Sequence, residues 1–184
     1  MKRGREEEEF FDKKDIQRFI DACGMYGDMA TVLEFIERGI DMNAVDDLKM
    51  TGLHRASIYG HVDIAKVLIQ NGADVNAVDI CNATALHIAA DDEDVDFAKV
   101  LIQNGADVNA VDRHKRTVLH FAATAETGVY IENKTALPAW EAVEIVNLLI
   151  QKGADVNALS KSNWTPLHNA AEDGYVDVAK ALIQ

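Results

Sequence analysis

The fifteen residues AKVLIQNGADVNAVD at positions 65–79 recur letter for letter at 98–112, an interval of 33 residues. A fixed period between about 20 and 50 residues marks a stack in which each copy is one supersecondary unit that cannot bury its apolar face alone. The core then runs along the stack, and function must be sought on its surface. Within the repeated stretch, AKVLIQ is apolar at offsets of three and four, broad enough to bury more than half of a helix. Gly72 can take a positive φ and end that helix, after which Asp74 and Asn76 offer side-chain oxygens to the turning chain.

A second segment keeps the same period: TGLHRA from Thr51, TALHIA from Thr84, TVLHFA from Thr117 and TPLHNA from Thr165. Each threonine suits a helix N-cap, and Pro166 suits the first helical position. Leu53, Leu86, Leu119 and Leu167 would fill the interior, while alanines such as Ala56, Ala89, Ala122 and Ala170 allow close helix approach. The unit reads as helix, turn, helix and hairpin-like loop, and the fold class as an all-α repeat solenoid. Copies fall at about 15–46, 47–79, 80–112, 113–160 and 161–184, after a charged lead-in at 1–14. In the lead-in Phe10 and Phe11 are placed to cover the open face of the first copy. Thr117 and Thr165 lie 48 apart, 15 more than the period, so residues 127–140, TGVYIENKTALPAW, are an insertion between two helices of the fourth copy. Its Tyr130 and Trp140 are too apolar for an inert tether. The last copy stops at Gln184 with the apolar pattern of an internal copy, so further chain or an end-to-end partner is expected there.

The TxLHxA and GADVNA segments at this spacing resemble those of the ankyrin repeat family, over residues 15–184. The resemblance implies stacked helix-turn-helix units with a concave face, made of loop tips and first helices, that binds a partner protein. It implies that His54, His87, His120 and His168 bond to the threonine of their own motif. Gly52, Ala85 and Val118 replace the family's proline, and Lys49, Asn82, Lys115 and Asn163 replace a glycine. Strained loops are expected where lysine stands, and an altered turn where Glu93-Asp94 replaces Gly-His.

Charge and chemistry narrow the function. With 18 basic and 31 acidic residues the net charge is -13, which disfavours nucleic acid and anionic membrane surfaces as partners. The amino terminus has no apolar run behind its basic residues, so no signal peptide or membrane insertion is read there. Cys23 and Cys81 stand at non-matching repeat positions, which suits a reducing, cytoplasmic compartment, or a host cytosol if the chain is a secreted effector. Neither the histidines nor the cysteines have zinc-site spacing, and the acidic run 91–96 lacks the glycine and glutamate of an EF-hand loop. With no nucleotide or nucleophile motif either, the chain reads as a non-enzyme without catalytic residues, metal or cofactor.

The expected role is a protein-binding scaffold, monomeric or in end-to-end contact through its last copy. Candidate contacts are Met25, Tyr26, Ile58 and Tyr59 at first-helix ends, and Leu48, Met50, Arg113, His114, Arg116 and Trp164 at loop tips. Tyr130 and Trp140 of the insertion join them. Along the stack these positions grade from apolar and aromatic, through acidic, to a basic patch at Arg113, Lys115 and Arg116. Two alternatives stand beside this reading. One is the targeting module of a larger effector or ligase adaptor. The other is a substrate of an asparaginyl hydroxylase, because Asn76, Asn109 and Asn157 sit in the leucine, aspartate and asparagine pattern that such enzymes modify in ankyrin loops.

Overall fold

The computed structural model describes residues 11–124 and 140–183. Among them are ten helices in five pairs: α1 (Lys13–Cys23) and α2 (Met29–Glu37), α3 (Gly52–Ile58) and α4 (Val62–Gln70), α5 (Ala85–Asp91) and α6 (Val95–Gln103), α7 (Val118–Ala122) and α8 (Trp140–Gln151), α9 (Pro166–Glu172) and α10 (Val176–Ile183). First helices stack in one layer, with α1 on α3, α3 on α5, α5 on α7 and α7 on α9; in the other layer α4 packs on α6, α6 on α8 and α8 on α10. This two-layer all-helical stack is the solenoid expected from the period. The linking loops are hairpin-like, with antiparallel bridges between Val45 and Thr51 and between Val111 and Thr117.

The motif threonines cap their helices as read. Thr51, Thr84, Thr117 and Thr165 each form a reciprocal box with the histidine three residues on, and Pro166 takes the first helical position. The first copy differs. Arg18, aligned with the capping threonines, lies inside α1, whose cap is Asp12 accepting from the Lys14 and Asp15 amides. Without a capping side chain at Arg18 the helix runs back to the nearest one, inside the segment read as a lead-in. There Phe11 is half-buried on Phe35, ring centroids 6.0 Å apart; Phe10 lies outside the described residues.

Two expectations about strain are resolved by the loops. Lys49, Asn82, Lys115 and Asn163 all keep a positive φ between 58° and 62°, and Glu93 keeps one of 55° where other copies have Gly60 or Gly174. The turns survive because side chains clamp them. Asp46 Oδ1 accepts from the Leu48 and Met50 amides, and Asp79 and Asp112 do the same two and four residues on, at 2.8 to 2.9 Å. Glu93 accepts a 2.8 Å hydrogen bond from the Tyr175 hydroxyl of the last copy.

The core is a continuous column from Phe19 and Phe35 through Leu53, Leu68, Leu86, Phe97 and Leu101 to Ile145 and Leu149. A small second cluster of Met50, Ile58 and Ile88 sits apart from it. Here the sequence reading needs correcting: Met50 and Ile58 are each only 4% exposed, so neither offers surface to a partner. Their cover is Ile88, from the next copy.

Candidate partner-binding surface

The loop tips are joined to one another by backbone hydrogen bonds. Ile80 N donates to Leu48 O at 2.9 Å, Arg113 N to Cys81 O at 2.8 Å, and Lys161 N to His114 O at 2.8 Å. A second line of bonds runs beside it through asparagine side chains. Asn43, Asn76 and Asn109 accept from the amides of Asp74, Asp107 and Asp155 in the following copies at 2.8 to 2.9 Å. Asn76 and Asn109 also donate onward to the Gly105 and Gly153 carbonyls. The insertion leaves both lines unbroken, because it enters between helices and not between loops. Backbone held this way loses little freedom when something binds it.

Of the four motif histidines, His54 and His120 hold their first helices to the next loop, while the buried Nε2 of His87 has no hydrogen-bond partner among the described residues. In all four, Nδ1 lies 2.8 to 2.9 Å from the threonine hydroxyl of the same motif. Nε2 of His54 bonds the Ala83 carbonyl at 3.1 Å and Nε2 of His120 the Trp164 carbonyl at 2.9 Å, so each ring ties its helix to the next loop. Burial holds His54, His87 and His120 below the ordinary histidine range, His87 at about 4, which keeps the rings neutral at physiological pH. Burial likewise pushes the Cys23 thiol up to about 12, far from a reactive thiolate.

On this frame the remaining candidates separate. Met25 (62% exposed), Tyr26 (70%), Leu48 and Tyr59 are exposed apolar side chains of the early copies, joined by Ile80, and Trp164 is 37% exposed in the last. Tyr59 stacks on His61, ring centroids 6.2 Å apart. Arg113 and His114 are exposed and bonded to each other, Nε to Nε2, at 3.0 Å. Arg116 is committed elsewhere: its Nε donates to Asp112 at 2.9 Å and its guanidinium lies 4.3 Å over the Phe121 ring. Burial pushes the Asp112 carboxyl up, but amide bonds from Arg116 and His114 and the Arg116 guanidinium outweigh it and hold it below the ordinary carboxylate value. The basic patch therefore loses Arg116, and the loop-to-loop bond at His114 brings Lys161 into it. A cleft of about 490 Å³ opens beside Trp164, lined also by Arg116, His120, Ser160 and Asn169. Trp140 is exposed at the start of α8 and lines a cleft of about 460 Å³ together with Tyr59 at the end of α3, and Tyr130 lies outside the described residues. Asn157 holds its own loop as Asn76 and Asn109 do, its amide donating to the aspartate two residues before it at 2.8 to 2.9 Å.

Helical pairs stacked on a rigid row of loops define a repeat scaffold. A family model described as ankyrin repeats (3 copies) matches residues 19–112 and again 71–132, and another, ankyrin repeats (many copies), matches 135–183. The chain belongs to the ankyrin repeat family, whose repeats are in general protein–protein interaction modules. No curated protein matches the chain significantly. Among the described residues no helix is long and apolar enough to cross a membrane.

Proposed function

We propose that this chain is a non-enzymatic scaffold that binds a partner protein along its row of loop tips and the adjoining first-helix ends. The observation that carries this reading is the hydrogen-bonded row itself, which presents Leu48, Ile80 and Trp164 on an immobilised backbone. Apolar and aromatic groups on a pre-ordered surface are what interface hot spots are made of. The same surface serves equally well in a protein acting alone or as the targeting module of a larger effector or ligase adaptor. Its compartment is the reducing cytosol, consistent with Cys23 and Cys81 both being free thiols. The chain works as a monomer or through end-to-end contact at α10, where Val176 and Ile183 are exposed; sedimentation separates the two.

The test is affinity capture with the intact chain beside Leu48→Ser and Trp164→Ala variants. Both variants should keep the parental melting temperature and lose the captured partner. Equal recovery on all three baits would remove the proposed surface.

A second reading is hydroxylation of the loops at Asn76, Asn109 and Asn157, each held in its turn by a hydrogen bond from its amide to the aspartate two residues before it. Asn76 and Asn109 hold inter-copy bonds through both ends of their amides, so an enzyme must open two loops to reach them. Mass spectra of cell-derived protein without added oxygen at Asn76, Asn109 and Asn157 would end this reading.

A further inference from the structure

We infer that the partner segment is anionic where it crosses the fourth and fifth copies: an acidic peptide stretch held by Arg113, Lys115 and Lys161. The inference rests on the loop-tip reading above and names the chemistry of its occupant.

Most described cations are already matched with carboxylates. Lys13 pairs with Asp47, Arg18 and Arg38 with Glu34, Arg55 with Asp46, Lys66 with Asp63, Lys99 with Glu144, Arg116 with Asp112 and Lys180 with Asp177. Among the described residues Lys14, Lys49, Arg113, Lys115, Lys152 and Lys161 stand outside such ion pairs. Half of these six are on two adjoining tips, joined by the bond from Lys161 N to His114 O. All three are exposed. In a chain with 31 acidic residues, three unmatched cations side by side are unexpected, because like charges fixed together repel and acids are plentiful. The nearby acid, Asp112, is taken by Arg116. His114 accepts from Arg113 Nε, which fixes the guanidinium and leaves its terminal nitrogens for a carboxylate fork.

Three cations suit a short run of Asp or Glu. They do not suit a long polyphosphate, which would run beyond the patch and meet the repulsion of a chain whose net charge is -13. Towards the early copies the row becomes apolar at Ile80 and Leu48, so the acidic run carries apolar residues beside it. Exposed ion pairs are individually weak, so the patch acts mainly on the choice and register of the partner, with each lost cation weakening binding about threefold.

The test is selection of displayed random peptides of about 12 residues, able to span about 40 Å when extended, on the intact chain. Enriched peptides should carry Asp and Glu beyond the library average. They should bind the Arg113→Ala/Lys115→Ala/Lys161→Ala variant about thirtyfold more weakly at low salt, with the gap closing at high salt. Lys161→Glu alone is the second variant and should reject the same peptides. Acidic peptides that bind both variants as well as the parent would overturn the inference. Neutral peptides lost on Leu48→Ser or Trp164→Ala would overturn it too, yet leave the loop-tip surface standing. Enrichment of no peptide that depends on any tip residue would bring down both. A single-stranded oligonucleotide that binds more tightly than the peptides, through the same three residues, would reassign the patch to nucleic acid.

Discussion

Gly52 stands where the family motif has proline, and its replacement should be costly for a reason particular to this chain. A Cβ added at Gly52 would lie 2.8 Å from Cys23 Sγ, with Cys23 Cβ at 3.4 Å and Leu68 Cδ1 at 3.5 Å. Favourable contact begins near 3.5 to 4.0 Å, so the methyl would intrude on the sulfur by roughly 1 Å. Cys23 is fully buried beside Phe19 and Ile20 and has little room to yield. Overpacking of this kind costs about 1–3 kcal/mol, against which removing a helical glycine recovers about 0.5–1 kcal/mol. Gly52→Ala should therefore lose about 1 kcal/mol, or roughly 3 °C in melting temperature. The repeat supplies its own control. The pairs equivalent to Cys23 and Gly52 are Ala56 with Ala85, Ala89 with Val118 and Ala122 with Pro166: wherever the first member is alanine, the second carries a side chain. In a Cys23→Ala background Gly52→Ala should change sign and stabilise, a coupling of about 1–2 kcal/mol. Urea midpoints by far-UV circular dichroism for the four proteins of this cycle measure it. Additive effects, or a stabilising Gly52→Ala in the presence of Cys23, would refute the steric reasoning.

Other perturbations follow from the loops and the buried histidines. Lys49→Gly and Lys115→Gly, at φ 58°, should each raise stability by about 0.5–1 kcal/mol in the same urea assay; a loss would show that the clamped turn carries no strain. Asn76→Ala removes two inter-copy bonds and should cost about 1–2 kcal/mol, whereas Asn71→Ala loses only a bond to Val67 within its own helix end and should cost less, and equal losses would contradict the proposed ladder. His87, held at about 4 when folded against 6.5 ordinarily, leaves the unfolded chain binding more protons between those values. Its stabilisation is complete above 6.5 and is lost as pH falls towards 4, on the order of 3 kcal/mol, with His54 and His120 acting in the same direction. Urea midpoints that stay flat between about pH 7 and about pH 5 would contradict this.

The parts of this molecule written in local signals were legible. A threonine cap, a helix-stopping Gly72 and the leucines of TxLHxA each act within a few residues, and a repeat states them several times over. Met50 and Ile58 were misplaced because their burial depends on Ile88 in another copy, a relation invisible to spacing within one unit. The start of α1 at Lys13 was missed because helix propensity continued through Arg18 to a cap outside the periodic pattern. Arg116 looked like a free charge until the fold folded it back onto Asp112 and Phe121. The roles of Asp46, Asp79 and Asp112 as turn clamps went unread, although an aspartate before each irregular loop was the available sign. These clamps explain why lysine and asparagine can stand where the family has glycine.

Hydroxyl-radical footprinting of the intact chain with and without its captured partner reads the two faces of the stack in one experiment. Oxidation of Tyr26, Leu48 and Trp164 should fall when the partner is bound, while Leu33, exposed on α2 in the layer of second helices, should be labelled as before. Protection of Leu33 with the loop-tip side chains unchanged would put the partner on the opposite face and contradict the proposed mode of binding.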